Sequence, residues 1–186
     1  PSIDPSRRVL GVIRPTVECI GDLTQNRHVG ILATSGTIKS ESYLLEIEKL
    51  FPDVTVTGEA CPMWVPLVEN NEYDSEGADY FVQKHIRQLL AKDPDIDTLI
   101  LGCTHYPLLI EKIRQFTPSH IRIVPQGEYV AQSLQNYFRR HPEMDNRCTK
   151  EGTCRFLTTE SETKFEESAS IFLQQEDIHV ERIILE

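Results

Sequence analysis

Basic residues are scarce in this chain: 19 Lys and Arg stand against 29 Asp and Glu, for a net charge of −10. A surface that holds nucleic acid or an anionic membrane needs clustered Lys and Arg, so both kinds of partner are excluded. Long apolar runs are missing as well. No stretch approaches the roughly 18 residues of a membrane span, and no charged-then-apolar leader opens the chain. There is no internal repeat and no low-complexity tract. The five cysteines, Cys19, Cys61, Cys103, Cys148 and Cys154, form an odd set in a chain of ordinary apolar content, which reads as reduced thiols in a cytoplasmic protein. The gap between Cys148 and Cys154 fits no common zinc spacing. Cys148 and Cys154 flank a polar segment and read as solvated loop cysteines, with a loop disulfide or metal pair as the alternative.

What is present is an alternation of strand and helix. At 186 residues the chain can hold one sizeable core, or one domain plus part of another. Residues 1–8 lack an initiator Met and read as a linker that begins in mid-protein. Val29 to Ala33 is a short apolar strand, and Thr34-Ser35-Gly36-Thr37 offers a turn and an N-cap to a helix running through Leu50. Val54 to Thr57 is a β-branched strand, followed by Cys61-Pro62 and a short helix ending near Glu69. Tyr73 to Lys92 has the pattern of a long amphipathic helix. Asp95 to Leu101 reads as a strand, Tyr106 to Arg114 as a helix and Ile121 to Val124 as a fourth strand. This pitch predicts an α/β fold: a parallel sheet in three layers, with helices on both faces, over residues 9–124. Residues 125–186 read as a separate αβαβ segment: helix 127–140, polar loop 141–152, strand 154–158, helix 161–175 and strand 179–185. Its two strands extend the first sheet or form a second one.

The most informative stretch is Leu99-Ile100-Leu101-Gly102-Cys103-Thr104-His105-Tyr106-Pro107, which puts a thiol and an imidazole where a buried strand meets a helix. Ligand sites in open α/β sheets gather at such strand ends. A thiol beside a helix N-terminus is expected to favour thiolate, the reactive form. Cys103 is therefore the leading candidate, with a buried structural cysteine as the alternative. His105 is close enough to act on the same group, or else is an exposed first-turn histidine. Thr104 lies between them. Thr34 and Thr37 bring hydroxyls and helix-start N–H groups that suit a carboxylate or phosphate, unless they form a plain cap. Cys61 also follows a strand and reads as structural, and Glu69 reads by default as a solvated helix end.

These residues resemble a known family. Gly102-Cys103-Thr104-His105-Tyr106-Pro107-Leu108-Leu109 is similar to the second-cysteine signature of glutamate racemases in the Asp/Glu racemase superfamily. The likeness continues through Gly11 to Pro15, Ala33 to Ser40, Ala60-Cys61-Pro62, Val65 to Glu69 and Gly127-Glu128, covering roughly residues 9–135. Such enzymes invert the α-carbon of glutamate without pyridoxal phosphate or metal, supplying D-glutamate for the bacterial cell wall. Two cysteines flank the substrate, because one thiol reaches only one face of the carbon. By this resemblance Cys103 is the second catalytic cysteine, His105 assists its proton transfer and Glu69 is the acidic residue beside it. Thr34, Thr37 and Thr104 match positions that hold the substrate's polar groups, and no cofactor is implied. The first cysteine, in a Cys-Asn-Thr setting, and the Asp-Ser-Gly motif of the amino-terminal domain do not occur. The chain thus looks like the carboxy-terminal portion of a racemase, with 125–186 as the return segment of the other domain. Taken alone, it is expected to be inactive. Alternatives are an aspartate or other amino-acid racemase, or a non-catalytic module that binds a small acid. Homodimer formation is a further expectation from exposed apolar surface.

Overall fold

Aliphatic and β-branched runs too short to cover themselves pair side by side in the computed structural model, which describes residues 9–150 and 152–185. The linker expected over 1–8 lies outside the described residues. Two compact units result, one reaching to Tyr137 and the other running from Phe138.

The first unit opens with two short helices, α1 (Ile13–Glu18) and α2 (Ile20–Leu23), which the sequence reading did not anticipate. Then follow β1 (His28–Ala33), α3 (Ser35–Lys39), α4 (Ser42–Leu50), β2 (Thr55–Ala60), α5 (Trp64–Glu69) and α6 (Glu76–Lys92). The unit is completed by β3 (Thr98–Leu101), a 3-10 turn (Tyr106–Leu109), α7 (Ile110–Phe116), β4 (Arg122–Pro125) and most of α8 (Gln126–Arg140). All four strands are parallel, in the order β2-β1-β3-β4. The chain therefore winds outward in both directions from β1, and neighbouring connections diverge between β1 and β3. That divergence opens a crevice at the carboxyl ends of the strands.

Side-chain alternation sends the strands into two cores, one on each face. Leu32, Leu99 and Leu101 pack with Trp64, Val82, Ile86 and Leu89 of α5 and α6. Val29, Ile31, Ala33, Ile100 and Val124 pack with Val17, Ile20, Tyr43 and Ile47 of the helices on the other side. The three-layer reading holds. Each wholly buried aliphatic side chain contributes about 1.5–3 kcal/mol, so these two layers hold the sheet.

Several boundaries differ from the sequence reading, each for a local reason. The helix expected through Leu50 is broken in two, because Glu41 takes a left-handed φ of 53° and caps α4 from a new direction. The long helix starts three residues late, at Glu76, since the Ser75 hydroxyl accepts the Ala78 N–H. The strand expected from Asp95 begins at Thr98. Asp97 is diverted beforehand: its carboxylate accepts from the Thr24 hydroxyl and from the Gln25 and Asn26 N–H groups.

The second unit holds α9 (Pro142–Asp145), β5 (Phe156–Thr158), α10 (Glu162–Leu173) and β6 (Val180–Arg182). The one-turn α9 lies in what reads as a loop, with Pro142 at its first position, where a missing N–H costs nothing. β5 and β6 pair parallel in a sheet of their own rather than extending the first. Ala169, Ile178, Val180 and Phe156 form its small core.

Candidate functional site

Leu101 ends β3, and the next position leaves little room for a side chain. A Cβ on Gly102 would sit 3.0 Å from the Ala33 Cβ and 3.3 Å from the Leu32 carbonyl oxygen. The Gly102 N–H instead donates to that oxygen at 2.8 Å. This close approach turns the chain out of the sheet and leaves Cys103 half-buried at its rim. The Cys103 Sγ lies 3.7 Å from His105 Nδ1, and the Thr104 hydroxyl lies 3.5 Å from the same nitrogen. The other ring nitrogen, Nε2, faces the Glu69 carboxylate at 3.3 Å from the end of α5. Thiol, imidazole and carboxylate thus form a line across two elements. Glu69 is more than a solvated helix end.

The state of the thiol corrects the sequence reading. Burial pushes the Cys103 thiol up and outweighs the backbone N–H groups of His105, Tyr106 and Thr104 that favour the anion, while the Glu69 carboxylate pushes it up further. The helix expected immediately after Cys103 begins as a 3-10 turn, and α7 starts only at Ile110. A dipole that acts within about one turn is therefore too short and too distant to hold a thiolate.

The hydroxyl residues divide. Thr34 serves as the cap of α3, its Oγ1 accepting from the Thr37 N–H at 3.3 Å and lying 3.0 Å from Thr37 Oγ1. Thr37, Thr104 and Cys103 line a cavity of about 380 Å³ at the β1/β3 divergence, within the size range of small-ligand sites. Tyr43, Gln126 and Gly127 line it too. Sequence reasoning missed Tyr43 and Gln126 and quoted Gly127 only for the resemblance, although Gln126-Gly127 follows a strand end by the same logic that singled out Cys103. Cys61 is wholly buried, its Sγ 3.7 Å from the Glu59 carbonyl oxygen, and burial pushes its thiol far up. It is structural, as read. Cys148 and Cys154 are exposed free thiols, as read.

Among the described residues, one group has the ligand types of a metal site: His28, Asp93 and Asp95, with ligand atoms within 4.8 Å of one another. It lies at the start of β1, at the end of the sheet opposite the cavity. Asp93 is already taken by His28 Nδ1 at 2.9 Å and by the Asp95 N–H at 3.0 Å, so the group serves as an ion-pair pin.

A doubly wound α/β domain with a thiol and hydroxyls lining a strand-end cavity, and an imidazole beside that thiol, defines a class of small-molecule site. The sequence pattern of the Asp/Glu/Hydantoin racemase family matches residues 8–133, and the chain belongs to that family. It is 38% identical over 180 residues to the glutamate racemase of Streptococcus agalactiae serotype III and 39% identical over 182 residues to that of Enterococcus faecalis. These matches take 95% of this chain but 66% and 64% of the relatives, so the chain spans just under two thirds of their length. Among solved structures, a glutamate racemase from Bacillus anthracis matches with a TM-score of 0.86 and 30% identity, over 99% of this chain and 67% of that one. The glutamate racemase of Francisella tularensis in complex with D-glutamate matches with a TM-score of 0.84 and 27% identity, over 98% and 66%.

Proposed function

We propose that this chain is the part of a glutamate racemase that carries one of its two proton-transferring thiols. In one direction the Cys103 thiolate takes the α-proton of glutamate and becomes a thiol. In the other the thiol returns a proton to the planar carbanion and becomes a thiolate. His105 stabilises whichever sulfur state the step leaves, and Glu69 orients the imidazole. Thr37 and Thr104 hold the polar groups of the substrate. The observation that carries this reading is the Cys103–His105–Glu69 line, with spacings of 3.7 and 3.3 Å, beside a cavity with hydroxyls in its wall.

The product, D-glutamate, is consumed in building the bacterial cell wall, and we place the reaction in the cytoplasm, where five unpaired thiols persist. We assign the first unit to the domain bearing Cys103, so that the boundary expected after Val124 moves past most of α8, and the unit from Phe138 to the return segment of the other domain. Two parallel strands and one helix of any length make a small unit, with Leu157, Phe165, Phe172 and Leu173 exposed. Parallel sheets are ordinarily buried on both faces, so this unit calls for further strands.

The test is protection of Cys103 from iodoacetamide, read by mass spectrometry of its peptide near pH 9, where a raised thiol still reacts. D- and L-glutamate are expected to slow labelling more than aspartate does. Labelling that is indifferent to glutamate sinks the reading. A second reading, a small-acid module without chemistry, draws support from the raised thiol, and it predicts protection by glutamate with no racemisation even when the remainder of a racemase is supplied.

A further inference from the structure

The cavity wall contains a hydroxyl that the reaction described above does not use. Tyr43 is only 4% exposed, yet it lines the cavity together with Cys103. Its hydroxyl is hydrogen-bonded to Gln126 Nε2, and the same Nε2 lies 2.9 Å from the Leu101 carbonyl oxygen. A carbonyl oxygen can only accept, so the Gln126 atom between these two groups must be the amide nitrogen. Both its protons are then committed, one to Leu101 and one to the Tyr43 oxygen. The tyrosine oxygen is thereby fixed as an acceptor toward Gln126, and its own proton must point elsewhere. Among the described residues no acceptor for that proton is found, and a buried O–H without an acceptor costs free energy. Burial pushes the Tyr43 hydroxyl up to about 12, so it keeps this proton at any physiological pH.

What the proton meets is set by its surroundings. Gln126 and Gly127 are the first residues of the fifteen-residue α8, and a Cβ added at Gly127 would meet nothing within 4 Å. The amide end of a long helix therefore lies open at the same cavity, and both it and an undirected O–H favour an anion. We propose that Tyr43 is a ligand-binding residue that donates its hydroxyl proton to a carboxylate of the bound amino acid, and that Gln126 is the positioning residue that aims it. This rests on the reading of the cavity as an amino-acid site. The break at Glu41 gains a purpose, because it turns α4 so that its second residue reaches the cavity.

The test is titration of the isotope-labelled chain with D-glutamate, following the Gly102 and Gly127 amides by NMR. Tyr43→Phe removes one oxygen and is expected to weaken binding about tenfold, the effect of losing one hydrogen bond to a charged group. Gln126→Met is expected to weaken it about threefold in the wild-type background and to change nothing further in Tyr43→Phe. That coupling is what a merely structural glutamine would not produce. Binding by the wild type with Tyr43→Phe within twofold of it overturns this proposal and leaves the proposed function standing. A wild type that does not bind glutamate removes both. Additive losses in the double variant overturn the positioning role of Gln126. Should Tyr43→Phe fail to fold, Gln126→Met carries the test alone, and unchanged affinity is then fatal.

Discussion

The reactivity of Cys103 is set by competition among groups within a few ångströms. Desolvation and the Glu69 carboxylate favour the thiol, while three backbone N–H groups favour the anion, and the thiol prevails. Glu69 acts in two opposed ways. Its charge repels a thiolate directly, yet it also holds the His105 ring, at 3.3 Å from Nε2, beside the sulfur. The direct effect is the one expected in the resting chain, so Glu69→Gln should speed iodoacetamide labelling of Cys103 at pH 8. The gain should be modest, about twofold, because the Glu69 side chain is 56% exposed and solvent screens it. Slower labelling would mean that Glu69 acts chiefly through the position of the His105 ring. Cys103, Thr104 and His105 could be singled out from the sequence because they are adjacent at a strand end, whereas Glu69 reads there as a solvated helix end and joins them only through the family resemblance. The polarity of the thiol could not, because burial is set by residues distant in the chain, such as those of the core beneath the 3-10 turn.

Among elements, the end of α6 is fastened to the start of β1 by one ion pair. Asp93 follows α6, and its carboxylate meets His28 Nδ1 at 2.9 Å and the Thr57 hydroxyl at 3.3 Å. The hydrogen bond that His28 donates to the Asp93 carboxylate raises the imidazole above its ordinary value. Burial pushes Asp93 up, but its hydrogen bonds with His28 and the Asp95 N–H outweigh this and hold it below the ordinary range. The signs define a window. The His28 contribution is complete below the unfolded histidine value of about 6.5 and is lost as pH rises through the higher folded value. The Asp93 contribution is complete above the unfolded carboxyl value and is lost as pH falls through the lower folded one. Urea midpoints of wild type and His28→Gln should therefore differ most near pH 5.5 and converge toward pH 8.5. An equal gap at both pH values would refute the pin. The strands and most helices that this pin joins were legible from apolar period and β-branching. The breaks were not, since Glu41 adopts a left-handed backbone that its residue type does not favour, and Asp97 leaves the strand to bind a loop some seventy residues earlier.

At the scale of the whole molecule the question is how many faces of a carbon this chain can reach. Inversion requires a proton to leave one face and another to arrive at the opposite one. In the first unit, Cys103 is the thiol on the cavity wall. Cys61 is sealed in the core, and Cys19 donates to the Pro15 carbonyl oxygen with its thiol raised by burial. The remaining two cysteines are exposed in the second unit. A single sulfur can remove and return a proton on one side only, which regenerates the starting enantiomer. The chain is therefore expected to convert neither D- nor L-glutamate into its mirror image, as followed by chiral chromatography over hours at high protein concentration. Conversion by the chain that disappears in Cys103→Ser would show that one thiol suffices and would overturn the two-faced argument. Conversion that survives the substitution would place the chemistry outside this site altogether.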